Sequence, residues 1–205
     1  MVRVVKPSLE GIAAVAEAVK NGLVVCYPTD TVYGLGCDPF NQSAIERAIE
    51  TKGRGVRALP VLVRSVCEAE RLVSFSASGR RLAEKFWPGP VSIVLVAKEG
   101  VPKILAPNGT LAVRSPNNAI CQQLLALCSG MLVGTSANLT GRPPATSAGE
   151  VEKELGGRVD IILDGGKSAI GLASTVVDMT KRRVAVLREG PVSKKEIMVV
   201  LKKSG

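Results

Sequence analysis

Apolar residues recur along this chain in two alternating patterns, one of short continuous runs and one of helical spacing. The continuous runs are typical of buried strands, because a strand that is covered on both faces has no polar side. They predict strands at Val2–Val5, Leu23–Tyr27, Val61–Val63, Val91–Ala97, Leu111–Val113, Met131–Gly134, Val159–Leu163, Thr175–Asp178 and Val184–Leu187.

Between these runs, apolar residues recur every three or four positions, as on the buried face of a helix. Ser8 precedes the first such segment as a capping residue, and Gly22 follows it as a stop. The same reasoning predicts helices at 8–21, 43–51, 65–73, 77–86, 118–128, 148–155 and 193–202.

Strands interspersed with helices predict an α/β fold with helices flanking a sheet. The sheet should be mixed, because the last strands follow one another without a helix between them. The sequence contains no internal repeat, low-complexity segment or linker. We therefore expect one domain over residues 1–205.

The composition excludes several classes of enzyme. The chain has no histidine, so neither a Ser-His-Asp triad, a Cys-His pair nor a zinc site with imidazole ligands can form. Aromatic residues make up only 3%, which argues against binding single-stranded nucleic acid by base stacking.

The five cysteines are widely spaced and form no CxxC motif, which is typical of reduced thiols in a cytoplasmic protein. The N-terminus lacks the apolar region of a signal peptide. No apolar run reaches about 18 residues, so no membrane-spanning helix and no association with a membrane are expected.

The positive charge is concentrated at the C-terminal end. Residues 181–205 contain eight basic and two acidic residues, so +6 of the net charge of +9 lies there. Such a segment can bind RNA or phosphate, or it can be the solvated face of a terminal helix.

Polar side chains follow several of the predicted strands. In open α/β sheets, ligands bind outside the carboxyl ends of strands, so these side chains predict one crevice lined by hydroxyls and cations. With the cations of the loop after the second helix, that crevice would suit a polyanion such as a nucleoside triphosphate. The alternative is ordinary loop chemistry, in which hydroxyls bond to local backbone and cations are solvated. The candidate residues are Thr29, Thr31, Lys52, Arg54, Arg114, Ser136, Asn138 and Arg188.

Two glycine motifs do not qualify as nucleotide-binding signatures. Gly165 to Ser168 ends like a Walker A loop, but Ile161 stands where that motif needs its first glycine. Gly34-Leu35-Gly36 begins like a dinucleotide-binding motif, but Pro39 stands at its third glycine.

Seven segments, in the same order along the chain, resemble the signatures of YrdC-type threonylcarbamoyl-AMP synthases. They cover most of the chain, from about residue 23 to residue 191. The segments are Tyr27 to Gly36 (YPTDTVYGLG), Lys52 to Arg54 (KGR), Trp87 to Pro90 (WPGP), Leu111 to Pro116 (LAVRSP), Ser136 to Pro143 (SANLTGRP), Ser174 to Asp178 (STVVD) and Leu187 to Gly190 (LREG).

The resemblance implies a fold and a reaction. The fold is a single twisted, mixed-sheet α/β domain with a basic concave cavity. Longer members add a second, C-terminal domain, and this chain resembles the short form, so no second domain is expected. The reaction condenses L-threonine, bicarbonate and ATP into L-threonylcarbamoyl-AMP and pyrophosphate, with Mg²⁺ accompanying ATP. A separate threonylcarbamoyl-transfer complex then modifies the adenosine beside the anticodon of tRNA.

The resemblance also implies roles for particular side chains. Those expected at ATP are Lys52, Arg54, Thr110, Ser136, Asn138 and Arg188, with Lys52 and Arg54 as the catalytic cations. Arg57 is a further phosphate ligand by its position after this motif. Those expected at L-threonine are Thr29, Thr31, Arg114 and Ser174. The protein supplies no certain metal ligand; Mg²⁺ carried by ATP would lie near Ser136 and Asn138.

The chain departs from the family pattern at three places. Gly55 replaces a common proline, Arg64 or Ser65 stands where many relatives have histidine, and Pro144 stands where they often have serine. These departures bear on the exact substrate contacts. Three other readings remain open: a module that binds double-stranded RNA or tRNA, a carbamoyltransferase for another acceptor, and a protein that has kept the fold but lost activity.

Overall fold

Short apolar strands alternate with amphipathic helices along the chain, as their hydrophobic patterns predict. The computed structural model describes residues 2–53, 59–181 and 183–202. The strands are β1 (Arg3–Val5), β2 (Val25–Tyr27), β3 (Gly34–Gly36), β4 (Val61–Val63), β5 (Val73–Ser74), β6 (Val91–Ala97), β7 (Thr110–Arg114), β8 (Met131–Val133), β9 (Thr135–Ser136), β10 (Ile161–Leu163), β11 (Thr175–Asp178) and β12 (Ala185–Arg188). The helices are α1 (Leu9–Lys20), α2 (Gln42–Thr51), α3 (Val66–Ala69), α4 (Ala77–Phe86), α5 (Ala119–Leu127), α6 (Ala148–Leu155) and α7 (Lys194–Lys202).

Serine and asparagine caps determine where most helices begin. The Ser8 hydroxyl accepts a hydrogen bond from the Gly11 N–H at the start of α1. The Asn118 side chain accepts one from Cys121 in the same way at the start of α5. These caps satisfy N–H groups that have no partner within the helix, which explains why the sequence predicted the helix starts closely.

The strands form two sheets. The first has the order β1-β10-β2-β3-β9, and the second has the order β12-β11-β6-β7-β4-β8 with β5 paired to one end of β6. Both sheets combine parallel and antiparallel pairs: β10 is parallel to β2, whereas β6 is antiparallel to β7. The prediction of an α/β fold with mixed pairing is confirmed, although one sheet was predicted and two are present.

The strands that the sequence analysis missed are short. β3 consists of Gly-Leu-Gly, and β5 and β9 have two residues each. None of them has an apolar run long enough to predict a strand, and each forms because a neighbouring strand provides its hydrogen-bonding partner. β9 pairs with β3, which extends the first sheet towards the second.

The chain crosses from one sheet to the other at Gly134, between β8 and β9. Here the hydroxyl of Tyr27, at the end of β2, donates a 2.6 Å hydrogen bond to the carbonyl oxygen of Val133 in β8. The tyrosine ring lies against Gly34 and Gly36 of the neighbouring strand, and a Cβ at Gly34 would lie 2.7 Å from the ring. This buried tyrosine therefore joins the two sheets, and glycine makes room for it.

Two expectations on the surface and the thiols can be compared with the structure. Cys26, Cys37, Cys121 and Cys128 are buried and free, and Cys67 is free and exposed. Three lysines of α7 are exposed while its Ile197 is buried, which agrees with the solvated-face interpretation. In the described ranges, no helix is both long and apolar enough to cross a membrane.

We predict that Tyr27→Phe lowers the free energy of unfolding by about 1–2 kcal/mol, because the buried Val133 carbonyl loses a hydrogen bond while the ring packing is retained. Urea denaturation measures the change, and far-UV circular dichroism provides the control that the fold is intact. An unfolding free energy equal to that of the wild type would show that the bond between the sheets contributes nothing.

Candidate active site

A cavity of about 260 Å³ lies between the two sheets, beside the place where Tyr27 joins them. The loop after β2, the start of β3 and β9 line it from the first sheet. Strands β4, β6, β7, β11 and β12 line it from the second. Its charged lining residues, within the described part of the chain, are Arg114 and Arg188. The lining consists of Thr29, Thr31, Val32, Tyr33, Gly34, Pro60, Leu62, Ser92, Ala112, Arg114, Gly134, Thr135, Ser136, Ala173, Ser174, Val176 and Arg188.

One face of the second sheet forms a row of side chains across the cavity. Val176 of β11 is in register with Ser92 of β6 on one side and with Arg188 of β12 on the other. Arg114 of β7 is in register with Leu62 of β4. Residues in register share a face of a sheet, so strands far apart in sequence present these side chains together.

The loop that follows β2 is fixed by its own threonine side chain. The Thr29 hydroxyl donates a 2.6 Å hydrogen bond to the Val32 carbonyl and accepts one from the Thr31 N–H at 3.2 Å. Its oxygen also lies 3.0 Å from the Thr31 hydroxyl. Such a turn holds both hydroxyls at the cavity wall with little freedom.

Arg114 is the most buried cation of the cavity, with 4% of its surface exposed. Its Nη1 donates a 2.9 Å hydrogen bond to the Thr31 hydroxyl and lies 3.4 Å from Oδ1 of Asp30. A guanidinium held in this way can bind a carboxylate with two parallel hydrogen bonds.

Ser174 connects the second arginine to the cavity wall. Arg188 Nε donates to the Ser174 carbonyl at 3.0 Å, and its Nη2 lies 3.3 Å from the Ser174 hydroxyl. The hydroxyls of Ser174 and Ser92 are hydrogen-bonded at 2.9 Å. Burial, and to a lesser degree the charge of Arg114, lowers the pKa of Arg188. Both arginines line the same cavity, so both can act on one anionic ligand.

Lys52 caps the C-terminal end of α2 and extends to β9. Its ammonium donates a 2.6 Å hydrogen bond to the Ser136 carbonyl and lies 3.4 Å from the Ser136 hydroxyl and 3.3 Å from Oδ1 of Asn138. Burial lowers the pKa of Lys52 from 10.5 to about 8. An anion bound beside this half-buried ammonium would stabilise its charged form.

Asn138 organises this region without lining the cavity. Its amide nitrogen donates to the carbonyls of Leu139 and Arg142, at 2.7 and 2.8 Å, while its oxygen faces Lys52. The Thr140 N–H in turn donates to the Lys52 carbonyl at 2.9 Å. The loop Ser136-Ala137-Asn138 and the end of α2 thus hold each other in place.

The structure brings most of the predicted residues together around one cavity. Thr29, Thr31, Arg114, Ser136, Ser174 and Arg188 line it, and Lys52 and Asn138 adjoin Ser136. Arg54, Gly55 and Arg57 lie outside the described residues.

Three further positions lie away from the lining. Thr110 begins β7 on the same face as Ala112 and Arg114, roughly 13 Å from Arg114 along the strand. Arg64 is exposed, and Pro144 belongs to a separate groove with Arg142 and Lys153.

Sequence reasoning missed Ser92 and the apolar walls formed by Leu62 and Val176. Ser92 had a detectable signal, since it is a hydroxyl within the otherwise apolar run of β6 and is 6% exposed. The apolar residues had none, because a cavity wall and a core position look alike in sequence.

Comparison with known proteins gives a consistent match. The model of the Sua5/YciO/YrdC family, described as "Telomere recombination", matches residues 17–190. A Mycobacterium tuberculosis protein called putative threonylcarbamoyl-AMP synthase is 40% identical over 195 residues, covering 93% of this chain and 89% of its own length. The threonylcarbamoyl-AMP synthase of Pyrococcus abyssi is 36% identical over 193 residues; the match covers 93% of this chain but only 57% of that protein.

Solved structures match the whole described architecture. The crystal structure of P. abyssi Sua5 complexed with L-threonine has a TM-score of 0.92 and 34% sequence identity, covering 98% of this chain and 61% of that chain. E. coli YciO has a TM-score of 0.87 and 28% identity, covering 96% of this chain and 98% of that chain.

The lowered pKa of Lys52 predicts a pH-dependent stability cost. Below about pH 8 the lysine is charged in both states, so the folded protein bears the full cost of burying the ammonium. As pH rises from about 8 to 10.5, the folded state holds fewer protons than the unfolded state and this cost disappears. We therefore expect the free energy of unfolding of Lys52→Met, relative to wild type, to be higher at pH 7 than at pH 10.

Urea denaturation at both pH values measures the difference between the two proteins. Lys103→Met is the matched control, because it replaces an exposed lysine. A difference for Lys52→Met that is the same at both pH values would contradict the prediction.

Proposed function

The chain belongs to the Sua5/YciO/YrdC family, and on that premise we propose that it is an L-threonylcarbamoyladenylate synthase. It would condense L-threonine, bicarbonate and ATP to L-threonylcarbamoyl-AMP and release pyrophosphate. The observation that carries the proposal is the cavity itself. A buried arginine and two threonine hydroxyls line it, and its Ser136 accepts a hydrogen bond from the Lys52 ammonium.

The threonine substrate would bind at the Arg114 end of the cavity. The guanidinium would take its carboxylate, and the hydroxyls of Thr29, Thr31 and Ser174 would take its amine and side-chain hydroxyl. Apolar contact from Leu62 and Val176 would accommodate the substrate methyl group. The P. abyssi relative was solved as a complex with L-threonine, which supports L-threonine as the ligand proposed here.

ATP would bind at the Lys52 end. Lys52, Arg54 and Arg57 would hold the phosphates, with Ser136 and Arg188 as further donors. Asn138 would act on the phosphates and also by holding Lys52, while Thr110 would contact a part of the nucleotide that extends along β7. With these cations the site would be the basic concave cavity expected of the family, which suits a triphosphate.

The chemistry needs orientation and charge stabilisation more than a proton-transfer side chain. The threonine nitrogen attacks the carbon of CO2 and loses a proton, or attacks the carbon of bicarbonate and water leaves. Either route forms a carbamate. A carbamate oxygen then attacks the α-phosphorus of ATP, a P–O bond forms, and the bond to the leaving pyrophosphate breaks. Cations around the phosphates stabilise the charge that develops there, so the absence of histidine is no obstacle.

Mg²⁺ would enter as part of the MgATP substrate. Within the described ranges, no cluster of three or more His, Cys, Asp or Glu side chains could hold a metal ion. Near Ser136 and Asn138 the oxygens already face the Lys52 ammonium. These residues fit a phosphate-carried ion better than one resident in the protein.

The product would pass to a separate threonylcarbamoyl-transfer complex that modifies tRNA beside the anticodon, in the cytoplasm. Adenylates are reactive mixed anhydrides, so a second enzyme must consume the product. A module that only binds double-stranded RNA or tRNA remains the main alternative; it would show salt-dependent RNA binding without ATP turnover.

The deciding assay combines the purified protein with MgATP, labelled bicarbonate and L-threonine. We expect pyrophosphate release that depends on both threonine and bicarbonate. Lys52→Ala and Arg54→Ala should each lower it by about a hundredfold or more, because each removes a cation from the phosphates.

Lys103→Ala, an exposed lysine, is the control for both variants. Near-normal turnover in the two variants would overturn the phosphate assignment. Pyrophosphate release that does not depend on L-threonine would overturn the proposal that the protein is a synthase.

Arg114→Lys tests the threonine end separately. Lysine keeps the charge but cannot form two parallel hydrogen bonds with a carboxylate. We expect the KM for L-threonine to rise about tenfold, equivalent to roughly 1.4 kcal/mol, with little change in the KM for ATP. Equal rises in both KM values would indicate general damage to the cavity rather than loss of a threonine contact.

A further inference from the structure

Asp30 is a buried carboxylate to which the proposed reaction gives no role. It lies between Thr29 and Thr31, both of which line the cavity, but it does not line the cavity itself. Only 5% of its surface is exposed. Neither carboxylate oxygen accepts a hydrogen bond from any residue that the structure describes. Burying a carboxylate without hydrogen bonds costs free energy, so we expect Asp30 to have a role that offsets this cost.

The backbone around Asp30 is held firmly. Its carbonyl accepts a 2.9 Å hydrogen bond from the Ile170 N–H, and the Thr31 carbonyl accepts one of the same length from Gly171. With the Thr29 turn on the other side, the loop has little freedom to move the carboxylate. Asp30 therefore presents a fixed negative charge behind the cavity wall.

That charge faces Arg114. Oδ1 of Asp30 lies 3.4 Å from Nη1, the same nitrogen that donates to the Thr31 hydroxyl. Both contacts hold one corner of the guanidinium. Among the described residues, the hydrogen bond and the ion pair given for Arg114 both involve Nη1, which leaves the edge formed by Nε and Nη2 for a ligand carboxylate.

We propose that Asp30 is a positioning residue, which holds the Arg114 guanidinium so that its free edge meets the carboxylate of the amino-acid substrate. This inference rests on the proposed function, since the substrate carboxylate is that of L-threonine. Asp30 touches no substrate; it acts through Arg114 alone.

Two effects of removing the charge oppose each other. Without Asp30, the net charge behind the cavity becomes more positive, which by itself attracts a carboxylate. However, the buried guanidinium then has no counter-ion in the free protein, and a buried unpaired charge costs more than that attraction returns. The side chain should therefore leave its position, and the geometry for the substrate carboxylate is lost.

The test is Asp30→Asn, which keeps the shape and removes the charge. We expect the KM for L-threonine to rise about tenfold or more while the KM for ATP stays within about twofold. Asp178→Asn is the matched control, since Asp178 is also buried but bonds to Thr180 outside the cavity lining. Thermal melting checks that each variant is folded, and calorimetric titration with L-threonine measures binding without turnover.

A double-mutant cycle separates a positioning role from a structural one. In the Arg114→Gln background, Asp30→Asn should raise the threonine KM no further, because no buried cation remains for Asp30 to hold. Asp30→Glu, which restores the charge, should recover part of the lost affinity. If Asp30→Asn does not fold, Asp30→Glu alone takes its place, with a rise in the threonine KM expected from the displaced charge.

An unchanged or lower threonine KM in the folded variant, equal rises in both KM values, or additive effects in the cycle would each overturn the role of Asp30. The proposed function fails separately. A wild-type protein that binds L-threonine without turnover, and loses that binding in Asp30→Asn, would overturn the synthase and support Asp30. A wild-type protein that neither binds L-threonine nor turns it over would overturn both the proposed function and the role of Asp30.

Discussion

The hydrogen bond from the Tyr27 hydroxyl to the Val133 carbonyl is the contact on which the site geometry depends. It joins the end of β2 to β8 at the place where the chain crosses between the sheets. The threonine loop begins directly after Tyr27, and Ser136 lies just beyond the crossing. A change in this contact would therefore move two walls of the cavity relative to the face of the second sheet.

The polar groups around the cavity are held mainly by one another. Thr29 closes its own loop, Ser92 and Ser174 share a hydrogen bond, and Lys52 is held by the backbone of Ser136. Such preorganisation means that little needs to move when charge develops on a bound substrate. Its cost is borne by the free protein, where burial lowers the pKa of Lys52 and where Arg114 needs the counter-charge of Asp30.

Much of the fold could be predicted from the sequence, because its long elements carry strong local signals. The run Val91–Ala97 was predicted with its exact bounds, and capping serines marked the starts of helices such as α1. The division into two sheets could not be predicted, since it depends on β3 and β9, whose few residues pair only in the assembled fold. Ser92 and Asp30 were missed for a similar reason. Ser92 bonds to Ser174 and Asp30 lies beside Arg114, and both contacts are with residues far away in the sequence.

The sequence by itself determined the types of chemistry available, because the absence of histidine and the ordered polar segments are properties of the chain. It also determined that the polar residues follow strands, and from this a crevice of hydroxyls and cations was predicted. Only the tertiary structure decided which side chains share one face. The register of β12, β11 and β6 places Arg188 in one row with Ser92, and the pairing of β7 with β4 places Arg114 beside Leu62. This register is set by hydrogen bonds between segments that are far apart in the chain, and no local sequence pattern contains it.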